Sequence, residues 1–114
     1  MKTVLLPLIV LCALAQSLGA GEPVAANGAA LAKASRCYSC HHATDVLIGP
    51  PYQAIAARYA GDKTVMSQVL AKKILLGGGG NWGDVPMVPN EHVKPADALT
   101  LARWILEQAP GKSR

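Results

Sequence analysis

The sequence predicts an all-α protein of about four short helices joined by long loops. Three observations carry this. No segment alternates apolar and polar residues with a period of two, so nothing has the pattern of a half-buried strand. Apolar residues recur instead at helical spacing over 64–76 and 95–105. Glycine and proline clusters at 49–51, 77–80 and 110–111 then divide the chain into pieces of helix length.

The chain opens with Lys2 and an apolar run from Val4 to Ala15, shorter than the ~20 residues of a membrane span, as in a secretory signal peptide. Ser17, Gly19 and Ala20 offer small residues for processing, so the expected division is a cleaved signal over 1–20 and a single domain over 21–114. A lipid-modified Cys12 is disfavoured by Leu11, which stands where a lipoprotein signal carries a small residue. Cleavage removes Cys12 and leaves Cys37 and Cys40 as the cysteines of the domain.

Asn27 can cap a helix over about 28–38, whose last turn would bring Cys37 and Cys40 to one side. The small residues Ala29, Ala30 and Ala32 would let a second helix approach. Ala54 to Tyr59 has the pattern of a short helix ended by Ala60-Gly61-Asp62. From Thr64 to Leu76, residues Val65, Met66, Val69, Leu70 and Ile74 are expected to form one buried stripe. Gly77 to Gly80 stop that helix and begin an aperiodic loop through Trp82, Pro86 and Pro89. Composition alone favours a floppy linker, whereas the Trp and Pro residues argue for an ordered loop with backbone pressed against something flat. The Gly-Lys-Ser/Thr ending of a phosphate loop is missing. Pro95 suits the first turn of a last helix, with Asp97 near its positive end and Ala98, Leu101, Ala102 and Ile105 facing inward, ended by Ala109-Pro110-Gly111.

Lys and Arg number 11 against 7 Asp and Glu, a formal charge of +4, and the cations are scattered. That excludes a nucleic-acid footprint and suits docking of an acidic protein partner. Phe is absent, so a large apolar cofactor would supply the bulk that aromatic side chains otherwise provide.

Cys37-Tyr38-Ser39-Cys40-His41 has the Cys-x-x-Cys-His spacing that lets two thiols bond covalently to a haem while the adjacent imidazole takes its iron. The competing readings are a redox Cys pair, which should sit in a βαβ pattern, half of a zinc site, which usually needs four ligands although no second Cys pair or His-x-x-x-His follows, and a structural disulfide. On the opposite face of the iron the candidates are Met66, Met87, His42, His92 and, more remotely, a lysine. Met66 belongs to the helical stripe and reads as core. His42 adjoins His41 and cannot swing across the ring, and His92 reads as a surface histidine. Met87, between Pro86 and Pro89, has a stiffened backbone that would aim its thioether, and is the expected second ligand. With both axial positions filled by protein, only electron transfer remains; an open position would make an enzyme or a gas sensor.

Cys37-x-x-Cys40-His41, Ile48-Gly49-Pro50, Tyr52, Trp82-Gly83, Pro86-Met87-x-Pro89-Asn90 and Leu101-Ala102-x-Trp104 resemble the small bacterial class I cytochromes c of the cytochrome c-551/c-552 type, over about Asn27 to Ala109. The resemblance implies the cytochrome c fold wrapped around one covalently attached haem c. It also implies a periplasmic, monomeric single-electron carrier that docks redox proteins of a respiratory chain at its exposed haem edge, without an enzymatic site. By the same resemblance the Pro50 carbonyl accepts a hydrogen bond from His41, Trp82 lies by a haem propionate, and Asn90 hydrogen-bonds near the Met87 sulfur. Lys73 either snorkels to a propionate or stays solvated. Pro51, Val88 and the Gly77 to Gly80 run depart from the usual pattern. A dedicated electron-accepting subunit of a periplasmic oxidoreductase is the rival that the sequence does not separate from a free carrier.

Overall fold

Pro23, which has no N–H to leave unsatisfied, stands in the sequence just before the first helix, and the structure, a computed structural model, describes residues 24–110. The expected signal segment lies outside the described residues. Helix α1 spans Val24–Ala34, a 3-10 turn follows at Cys37–Ser39, and α2 (Tyr52–Arg58), α3 (Lys63–Leu76) and α4 (Pro95–Leu106) complete the order. Among the described residues there is no strand, only an isolated antiparallel bridge between Gly78 and Met87. The fold is all-α, as the sequence predicts.

The first helix differs from expectation at both ends. It starts ahead of Asn27, which lies inside it, and stops at Ala34 rather than Tyr38. Arg36 adopts the left-handed conformation, φ 63 and ψ 24, and breaks the helical path. The Ser35 N–H closes the last turn on the Leu31 carbonyl at 2.8 Å. The cysteines therefore sit on their own turn, where the Cys40 and His41 N–H groups both donate to the Cys37 carbonyl at 3.2 and 3.0 Å.

Helix α4 is the hub on which α1, α2 and α3 pack. Its inward face carries Ala98, Leu101, Ala102 and Ile105, as expected, and adds Trp104 and Leu106. Close approach of α1 falls at Gly28 and Ala32. A Cβ on Gly28 would lie 2.1 Å from the Trp104 Cβ, and Ala32 is fully buried, while Ala30 is exposed.

In α3 the Asp62 carboxylate caps the helix by accepting from the Val65 N–H at 3.0 Å. The expected stripe is displaced: the buried row is Ser67, Leu70, Ala71 and Ile74, while Val65 and Val69 stand 51% and 45% exposed. Two apolar rows run side by side along this helix, and α4 covers only one. Ser67 belongs to the covered row because its hydroxyl is satisfied by donating to the Thr64 carbonyl at 2.9 Å, which a hydropathy pattern does not register.

Candidate cofactor site

The cysteine turn, the loop before α2 and the loop after α3 enclose a cleft of about 480 Å³, walled further by α3 and α4 residues including Leu70, Ile74, Leu101 and Trp104. Every site residue expected from the sequence lines it. Cys37, Cys40, His41 and Pro50 come from one stretch of chain; Lys73, Trp82, Met87 and Asn90 come from another.

His41 is buried and held on three sides. Its Nδ1–H donates to the Pro50 carbonyl at 2.7 Å, which leaves Nε2 as the lone-pair nitrogen. The Tyr52 ring stacks on it, centroids 5.6 Å apart and planes at 24°. Gly49 closes the third side, where an added Cβ would sit 2.7 Å from the imidazole Cε1. The loop that makes this cradle is itself tied down, with Gly49 N–H on the Cys40 carbonyl at 2.7 Å and Tyr52 N–H on the His42 carbonyl at 2.8 Å.

Cys37 and Cys40 are unbridged and half-buried. Burial pushes the Cys37 thiol up, against the lowering effect of its backbone hydrogen bond and with a smaller raising effect from Cys40. A redox Cys-x-x-Cys nucleophile needs the opposite shift. Among the described residues no cluster of three or more His, Cys, Asp or Glu is placed to hold a metal ion.

Met87 lies half-buried in a loop whose backbone is pinned. Its N–H and C=O exchange hydrogen bonds of 2.9 Å with Gly78. Gly77 ends α3 with φ 65, and a Cβ there would fall 2.3 Å from the Met87 carbonyl and 2.8 Å from Pro89 N. The glycine run is thus ordered backbone pressed against the Met87–Pro89 segment. The Asn90 side-chain amide donates to the Ile74 carbonyl at 2.9 Å and to Val88 at 3.4 Å, fastening the far end of the loop to α3. Lys73 is half-buried beside Gly78, and Trp82 is 42% exposed at the rim under the Arg58 guanidinium.

The remaining candidates divide clearly. Met66 packs against the core and His42 is exposed, accepting from the Thr44 and Asp45 N–H groups at 3.2 Å; neither lines the cleft. His92 is exposed at the rim, with Nε2 donating to the Ser35 carbonyl at 3.3 Å. Sequence reasoning did not assign site roles to Gly49, Tyr52 or Arg58. Gly49 and Tyr52 flank the Pro50 turn and were within reach of that reasoning; nothing local in the sequence ties Arg58 to Trp82.

A flat apolar macrocycle fits these residues. The cleft walls are largely apolar, two thiols and an imidazole nitrogen are presented into it, and the Tyr52 hydroxyl is buried beside it with no hydrogen-bond partner. Burial also pushes the Tyr52 phenol up, helped by the neighbouring Cys37 and Tyr38. Fold and site together define a small c-type haem protein. The Cytochrome c family model matches residues 25–109, and the chain belongs to that family. It is 44% identical over 84 residues to cytochrome c-551 of Allochromatium vinosum, covering 74% of this chain and 88% of that protein. It is 47% identical over 76 residues to cytochrome c-552 of Nitrosomonas europaea, covering 67% and 73%. The crystal structure of the wild-type Nitrosomonas europaea cytochrome c552 superposes with a TM-score of 0.66 at 46% identity, over 70% of this chain and 98% of that one. The cofactor is accordingly a covalent c-type haem on Cys37 and Cys40, and the chain is a class I cytochrome c electron carrier.

Proposed function

We propose that this chain carries single electrons in the periplasm, with His41 and Met87 as the two axial ligands of its haem iron. The observation that bears most weight is the paired hydrogen bonding of Met87 to Gly78 in the same cleft that receives His41. A side chain on so fixed a backbone can hold its ligand position through a redox cycle. The haem, when bound, supplies the Fe(III)/Fe(II) couple. The Pro50 carbonyl orients His41 and raises its basicity, whereas the soft thioether of Met87 favours Fe(II) and raises the potential relative to a second imidazole. The apolar walls keep water away. With both axial positions taken there is no substrate site, so the chain is not an enzyme.

Trp82 and Lys73 are suited to the haem propionates at the rim; Asn90, expected to hydrogen-bond near the Met87 sulfur, instead spends its amide on the Ile74 and Val88 carbonyls and serves the sulfur by holding the loop that carries it. The expected signal over 1–20 directs export and leaves 21–114 as a monomeric domain. No helix among the described residues is long and apolar enough to cross a membrane. Redox proteins dock at the exposed haem edge as donor and acceptor in a respiratory chain.

The test is optical. The oxidised protein should show the weak charge-transfer band of an iron(III)–thioether bond, and the reduced protein should refuse carbon monoxide. Met87→Ala should lose the band, gain carbon monoxide binding and lower the potential. Carbon monoxide uptake by the unaltered reduced protein would instead assign an open haem site.

A further inference from the structure

Arg58 ends α2 and is exposed, and a cation in that position is ordinarily a solvated complement to the helix's negative end. Here it reaches a segment 23 residues away. Its Nη1–H donates to the Asn81 carbonyl, and its guanidinium carbon stands 4.6 Å from the centroid of the Trp82 ring. Asn81 and Trp82 form the tip of the loop that carries Met87. The base of that loop is closed by the paired Gly78–Met87 bonds, and its tip by the Gly80 N–H on the Gly83 carbonyl at 3.3 Å. Between base and tip on one side stand Gly78, Gly79 and Gly80, which have no side chains to anchor the tip and whose backbone is the most permissive available.

We infer that Arg58 is a positioning residue for Met87, latching the tip of the glycine-rich loop from the end of α2. The inference rests on the His41/Met87 reading. Arginine suits the task because its planar cation can lie over an indole while its in-plane N–H groups donate to a carbonyl; lysine can make the hydrogen bond but presents no flat face. The other end of α2 starts at Tyr52, whose ring stacks on His41 and which follows the Pro50 carbonyl that holds it. One seven-residue helix therefore braces the histidine with its first residue and the methionine loop with its last.

The test uses the holoprotein as wild type, Arg58→Lys and Arg58→Met. Cyanide binding to the oxidised iron is the probe, because the Met87 loop must release before cyanide enters. Hydrogen exchange at the Gly78 and Met87 amides and the thermal midpoint are read alongside. Arg58→Met should take up cyanide about tenfold faster, equivalent to ~1.4 kcal/mol of lost loop closure. Its Gly78 and Met87 amides should exchange faster, and Arg58→Lys should fall between. If Arg58→Met fails to fold, the Arg58→Lys comparison carries the same decision. A wild-type cyanide rate in the variants, with or without a lower thermal midpoint, overturns the inference while leaving the axial assignment standing. A wild-type protein without the thioether band and with immediate cyanide binding overturns the axial assignment and this inference together.

Discussion

Replacing Gly77 by alanine isolates the contact that ties the end of α3 to the Met87 segment. Gly77 has φ 65 and ψ −151, a region that side-chain-bearing residues avoid at a cost of ~1–3 kcal/mol. The added Cβ would stand 2.3 Å from the Met87 carbonyl and 2.8 Å from Pro89 N and Val88 C, all main-chain atoms that cannot swing aside. Overpacking of that kind costs a further ~1–3 kcal/mol. The total of about 2–6 kcal/mol is a large part of the ~5–15 kcal/mol that holds a domain of this kind folded. At ~4–8 °C per kcal/mol, the thermal midpoint should fall by at least ~8 °C. The neighbouring glycines are the controls. Gly80 has φ 87 but nothing within 4 Å of an added Cβ, so Gly80→Ala carries strain alone. Gly79 has no left-handed φ and its nearest contacts, Pro86 Cα and Cβ at 3.4 Å, are ordinary, so Gly79→Ala should change stability by less than ~1 kcal/mol. Circular dichroism melts of the three holoprotein variants should rank the losses Gly77 > Gly80 > Gly79. Gly77→Ala alone should also weaken the iron(III)–thioether band. Equal losses at all three positions, or a mild Gly77→Ala with an intact band, would refute the reasoning.

Gly49→Ala would set a Cβ against the His41 ring and loosen its hydrogen bond to Pro50; a less basic imidazole should raise the reduction potential in a redox titration, and an unchanged potential would count against the cradle. Trp104→Ala removes a buried indole that meets α1 at Gly28 and edges Tyr52 at 4.9 Å, and should cost ~3–5 kcal/mol in chemical denaturation; a loss below ~1 kcal/mol would remove it from the core. Burial raises Tyr52 above the ordinary phenol value of about 10, so the folded state keeps a proton that the unfolded chain releases. Its share of stability is complete below that pH and fades as the pH climbs beyond it. Tyr52→Phe should therefore lose stability less steeply in alkali than the parent, and parallel alkaline curves would contradict the assignment.

The chemistry of this chain was the legible part, because Cys37, Cys40 and His41 lie within five residues and their spacing alone states a cofactor geometry. Pro86 and Pro89 likewise single out a stiffened segment through a local, covalent property, and the structure places its Met87 in the same cleft as His41. What the sequence hid was relational. Val65 and Val69 are as apolar as Leu70 and Ile74, and only the position of α4 decides which row is covered. The left-handed Arg36 has no glycine to announce it, so the sequence pattern carries the first helix on to Tyr38 instead of ending it at Ala34. The glycine run was ambiguous because its partner, the Met87 carbonyl, lies across a loop. Arg58 resembled any terminal helix cation until Trp82 was placed beside it.

The proposed carrier role requires the Met87 sulfur to bind the iron directly, and X-ray absorption at the iron edge of the holoprotein tests for that bond. A single sulfur scatterer among otherwise nitrogen neighbours, absent from Met87→Ala, is the expected result in both oxidation states. A coordination shell made of light atoms alone, identical in the parent and the variant, would contradict it.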